Sequence, residues 1–157
     1  MKSKIQMTKI SNFFYKIIDA GDVWAHCDLF CGVYDPAQAR IEAQSVYNAM
    51  KIYHMAKDDA SKQRVVLIKE QRAELVKHHL WVLWTDYFQP EHAEKFENLH
   101  DLFWKATKAA GDAKKSVDPA DGQKLIDMID EIGSIFAATK DGYQYGPVAS
   151  NMLGQAK

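Results

Sequence analysis

A chain of 157 residues, 47% apolar and 26% charged, has the make-up of one ordinary globular domain with a modest core. Its formal net charge of −1 carries no polyanion-binding signature and no strong long-range steering of charged ligands, so nucleic acid is not an expected partner. No apolar run approaches the roughly 18–20 residues that span a bilayer, so a membrane is not expected either, and the two cysteines are too few and too close for a disulfide scaffold.

Residues 1–25 carry Lys2, Lys4, Lys9 and Lys16, and their apolar patch Phe13-Phe14-Tyr15 and Ile17-Ile18 is interrupted by Lys16. A secretory core should be uninterrupted, so this is a poor export signal. It reads instead as a pro-segment ending at the small Ala25, and the expected compartment is the cytoplasm. His26–Tyr34 has no helical period and holds Cys27, Cys31 and Gly32.

From Asp35 the chain reads as helices. Asp35-Pro36-Ala37-Gln38 is a start signal: Asp caps, Pro suits the first helical position and Gln can reach back. The spacing predicts a first helix to about Ala56 with Val46, Ala49, Tyr53 and Ala56 inward, and a break at Lys57-Asp58-Asp59. A second is expected from about Ser61 to Tyr87, with a stripe through Val65, Ile68, Arg72, Leu75, His79 and Val82, ended by Pro90. A third is expected from Glu91 to Ala110, with Phe96, Leu99, Phe103, Ala106 and Ala110 on one face and Gly111 as its cap. Asp118-Pro119-Ala120-Asp121 opens a fourth, carrying Leu125, Ile129, Ile132, Phe136 and Thr139 and ending near Gly142. Residues 143–157 lack periodicity and read as a tail or an oligomer contact. The expected fold is all-α: an up-down four-helix bundle over 26–142, preceded by an N-terminal metal-binding hook.

The hook carries the chemistry. Cys27 and Cys31 can meet one metal if the residues between them turn back, and thiolates favour nickel, copper(I) or zinc. A structural zinc site wants four protein ligands, and the finger spacing is absent. A cut before His26 would free an amine. That amine, the Cys27 amide nitrogen and the Cys27 sulfur could form two fused chelate rings, with Cys31 at the fourth corner. Planar nitrogen and sulfur ligation suits nickel(II) or copper(II). The His26 imidazole could reach an axial position and favour nickel(III). Free thiols or an incidental disulfide remain the plain alternative.

The run His26 to Glu42 closely resembles the N-terminal hook of nickel superoxide dismutases. Ile68 to Leu75, Lys77-His78-His79 and Leu83 to Phe88 are similar to the same family, and the resemblance covers roughly residues 26–140. It implies a small four-helix bundle that assembles as a homohexamer after a maturation protease removes a leader. It implies one nickel per chain, cycling between Ni(III) and Ni(II), with superoxide as substrate and dioxygen and hydrogen peroxide as products. By the resemblance, the metal ligands are His26, Cys27 and Cys31. Tyr34 stands beside the open axial face, Glu42 and Arg72 hold the His26 imidazole, Tyr87 hydrogen-bonds near Tyr34, and Asp28 helps fold the hook. Phe30 stands where the family hook has proline, so the turn lacks proline's low-cost cis bond (about 0.5–1 kcal/mol, against about 2.5–4 before other residues).

Plainer readings compete at several positions. Arg72 could be a snorkelling rim arginine, but a charge on the stripe needs a partner, and Glu42 lies on a compatible face. Tyr34 and Tyr87 could be packing residues with satisfied hydroxyls. His78 and His79 cannot share a helix face, so one is expected in the core and one exposed. Glu97 and His100 form half of a di-iron motif that has no second half in the chain. Trp81 and Trp84 read as core or subunit interface. The rival functions are a nickel or copper store that performs no turnover, and a structural bundle with a vestigial hook.

Overall fold

The computed structural model describes residues 32–146, and among these every regular element is helical. Helix α1 spans Ala37–Met55. The Asp35 carboxylate accepts the Ala37 amide at 2.7 Å, while Pro36 already has helical backbone angles and lacks a donor that would need a partner. Gln38 stays exposed. Helix α2, Asp59–Val82, starts at Asp58, which accepts both the amide and the hydroxyl of Ser61 at 2.8 Å. Its end widens into a π-helical turn, Leu83–Tyr87. Then come the short α3, Pro90–Lys95, and two long helices, α4 over Leu99–Lys115 and α5 over Pro119–Thr139. Asp118 caps α5 by accepting the Ala120 amide at 2.9 Å.

Helix α1 packs on α2 and α5, and α4 packs on the same two helices, so the four long helices close into a bundle. Its core is one cluster that includes Val46, Met50, Val76, Leu80, Leu99, Phe103, Leu125, Ile129, Ile132 and Phe136. The face predicted for the fourth helix is the buried one, whereas on the first Val46 and Ala49 are buried, Tyr53 and Ala56 only partly, and the buried face runs on through Ala39, Ala43 and Met50. No helix among the described residues is long and apolar enough to cross a membrane.

Three expectations need correction. The buried face of α2 is Lys69, Ala73, Val76 and Leu80, continued by Leu83 of the π-helical turn and out of phase with the predicted stripe, and Ile68 and Leu75 are 43% and 38% exposed. Ala73 is fully buried in the same cluster as Ala39 and Ala43 of α1. The face includes a small alanine and a charged lysine, so choosing the stripe by the largest apolar side chains misplaces it. The expected third helix is broken at Phe96–Asn98, and Gly111 lies inside α4 instead of capping it. The helix runs on because its end is satisfied from outside: buried Lys69 donates from Nζ to the carbonyls of Ala113 and Lys114, the latter at 2.7 Å. Lastly, residues 143–146 of the expected tail are seated on the bundle by Tyr143 and Tyr145.

Candidate metal centre

The proposed ligands His26, Cys27 and Cys31, together with Asp28, Phe30 and the leader 1–25, lie outside the described residues. The bundle offers no rival to them: among the described residues no group of three or more His, Cys, Asp or Glu side chains could hold a metal ion. Glu97 and His100 are both exposed, and His100 meets the Trp84 ring edge-on at 5.4 Å.

Tyr34 is 5% exposed, and its ring lies 5.5 Å from that of Tyr87. Tyr87 sits at the end of the π-helical turn, where Phe88 donates its amide to the Leu83 carbonyl at 3.0 Å. This extra width carries Tyr87 inward against Phe136, at 4.3 Å between ring centres, and stacks it on His92 at 5.9 Å. The Tyr87 hydroxyl pairs with Thr139 Oγ1 at 2.9 Å. The two tyrosines expected together do meet, ring to ring, while the hydroxyl of Tyr87 is fixed to α5.

Glu42 and Arg72 also come together across α1 and α2. Both Glu42 carboxylate oxygens lie near one Arg72 nitrogen, at 3.2 and 3.3 Å. The Glu42 side chain is 14% exposed and that of Arg72 45%, so the arginine is both paired and at the rim. His79 is half-buried and its neighbour His78 exposed. Burial and the nearby His78 hold His79 below the ordinary histidine pKa, and the charge of Glu42 opposes them. Trp81 is 45% exposed, whereas Trp84 packs on Phe103 at 5.2 Å.

Sequence reasoning missed the groups that hold the start of α1. Tyr143 donates its hydroxyl to Asp35 Oδ1 at 2.7 Å, and the Lys140 ammonium reaches the Tyr34 carbonyl at 3.5 Å. Asp130 accepts from Arg40 at 2.7 Å and from the Tyr145 hydroxyl at 2.6 Å, and Arg40 also donates to Gln44 at 2.9 Å. The available signals were two tyrosines in an aperiodic segment and a glycine, Gly133, within the fourth helix.

The described residues form a helical bundle without a metal cluster, and the candidate ligands, a histidine and two cysteines, precede it in the sequence. The chain belongs to the family of nickel-containing superoxide dismutases, whose profile matches residues 21–140. It is 59% identical over 119 residues to the nickel superoxide dismutase of Streptomyces seoulensis, covering 75% of this chain and 90% of that protein. To that of Streptomyces coelicolor it is 57% identical over the same length, with the same coverage. Among solved structures it is similar to a native nickel superoxide dismutase, with a TM-score of 0.71 and 54% identity over 73% of this chain and 97% of the other. A structure with nickel ligation corresponding to the oxidised state matches at the same TM-score, with 55% identity and the same coverage.

Proposed function

We propose that this chain is a nickel-dependent superoxide dismutase, converting two superoxide anions and two protons to dioxygen and hydrogen peroxide. The observation that carries this reading is that the family match begins at residue 21 and so takes in His26, Cys27 and Cys31. Their donor set fits nickel: two soft thiolates, an imidazole and, after cleavage before His26, an amine and an amide nitrogen. His26 would bind through its amine and imidazole, Cys27 through its amide nitrogen and thiolate, and Cys31 through its thiolate. Bound nickel supplies a one-electron couple, Ni(III)/Ni(II), that superoxide can both reduce and oxidise.

The remaining residues orient and exclude. Tyr34, backed by the Tyr87 ring, limits access to small anions and orders water. Glu42, held by Arg72, steadies the His26 imidazole, as a metal-bound histidine requires of a partner on its other nitrogen. Tyr87 is kept in place by Thr139. A metal store has no use for this wall or for the Glu42–Arg72 pair. In this reading a protease removes residues 1–25, the mature chain acts in the cytoplasm, and six copies assemble.

Intact-mass spectrometry, nickel analysis and a dismutase assay on one purified sample test the reading. The expected result is a chain beginning at His26, one nickel per chain and rapid superoxide removal. Active protein that retains its leader, or trimmed nickel-loaded protein without activity, overturns it.

A further inference from the structure

The family match ends at residue 140, yet the next residues are firmly engaged. Gly142, at a φ of +73°, turns the chain back, in a region of backbone space that favours glycine. Tyr143 then meets Phe136 edge-on at 5.0 Å and donates its hydroxyl to Asp35 Oδ1. That same oxygen takes the Ala37 amide that opens α1. Lys140 lies over the rings of Phe136 and Tyr143, 5.3 and 5.7 Å from their centres, and points its ammonium at the Tyr34 carbonyl. Two residues on, the Tyr145 ring fills the space beside Gly133, where an added Cβ would fall 2.3 Å from a ring carbon. Burial and the partner carboxylates push the pKa of both phenols well up, so both remain hydrogen-bond donors at physiological pH.

We propose that Tyr143 and Lys140 are positioning residues for the dismutase reaction, fixing the backbone at Tyr34–Asp35 and through it the Tyr34 ring. The inference rests on the reading of Tyr34 as the wall beside the metal. Asp35 has one oxygen shared between a helix amide and a phenol, so removing the phenol loosens the cap as well as the strap. Tyr34 makes a ring contact with Tyr87, and its main chain is where Lys140 reaches it. Slack in that main chain reaches the ring directly, and Cys31 lies only three residues upstream.

Tyr143→Phe keeps the ring that packs on Phe136 and removes only the hydroxyl, so the variant retains its fold. In the mature, nickel-loaded protein it should lower kcat/KM for superoxide about threefold to tenfold. The loss should fall on KM more than on kcat, because Tyr34 governs access rather than electron transfer, and nickel content should stay unchanged. Amide exchange over residues 34–40 should quicken about fivefold, the amount one lost hydrogen bond permits, with α4 and α5 unaffected. Lys140→Met should move both readouts the same way by less. Unchanged exchange over 34–40 overturns the proposal, and so does faster exchange with intact kinetics, which would make the strap a cap and nothing more. A wild-type nickel-loaded protein without dismutase activity instead sinks the functional reading and the kinetic half of this one. The exchange result would still decide whether the strap holds Tyr34–Asp35.

Discussion

Glu42 gives both carboxylate oxygens to a single nitrogen of a half-exposed arginine, an arrangement that contributes little to stability. Exposed ion pairs are worth about 0–1 kcal/mol. If the pair instead steadies His26, Arg72→Gln should leave the melting temperature within about 2 °C of wild type, as such a small energy implies. Activity at full nickel content should still fall about tenfold. Calorimetry beside a dismutase assay separates the two effects, and an equal loss in both would make the pair purely structural. His79 carries a second residue-scale consequence. Its folded pKa lies below the unfolded value of 6.5, so the unfolded chain binds more protons between the two values. The stability it contributes is complete above pH 6.5 and is lost as pH falls through the lower folded value. In nickel-free protein the melting temperature should therefore drop from pH 7 to pH 5, and His79→Gln should flatten that slope. An identical slope in the variant would rule out His79 as the source. Both the Glu42–Arg72 pair and the His79 environment were within reach of the sequence, because helical spacing puts such residues on facing turns. Lys69 was not: nothing local distinguishes a lysine that caps another helix from one in solvent.

The elements show where periodicity succeeds and where it stops. It found the inward face of α5, which is lined with leucine, isoleucine and phenylalanine, and on α1 it found Val46 and Ala49 but not the small and polar residues Ala39, Arg40, Ala43 and Gln44 that complete the buried face. It misphased α2, whose buried face runs through Ala73 and Lys69. It ended α4 too early because Gly111 resembles a cap, while the real end is secured from α2 by Lys69. The π-helical turn is invisible to a 3.6-residue template, although it delivers Tyr87 to Tyr34. On α5, Gly133 has a helix-weakening identity but a clear use, since Tyr145 occupies the space of its missing side chain. Gly133→Ala should expel the Tyr145 ring and lower the melting temperature by a few degrees. In a chain ending at residue 142 the same change should be neutral or raise it, because alanine favours the helix by about 1 kcal/mol. Equal effects in both backgrounds would mean that the glycine serves something other than the strap.

At the scale of the molecule, the helices of residues 34–146 bury a complete core of their own. This differs from small zinc domains, whose folding free energy is metal binding. Stripping nickel with a chelator should therefore abolish activity but leave the far-ultraviolet helical signal and a single cooperative melt in place. Loss of helicity on chelation would show that the hook underwrites the bundle. The four long helices were legible because their signals are local: apolar repeats between capped ends. The contacts that close the first helix were not, because Asp35 and Tyr143 stand 108 positions apart.

That separation also sets an order of events during synthesis. The start of the first helix emerges from the ribosome long before the tyrosine that grips it, and so remote a contact forms only after the intervening helices have assembled. Asp35 therefore waits with its second hydrogen bond unmade while the rest of the bundle gathers. Under the proposed maturation, a protease or metal donor acting on the growing chain would meet a pliant neck, and one acting after release would meet a clasped one.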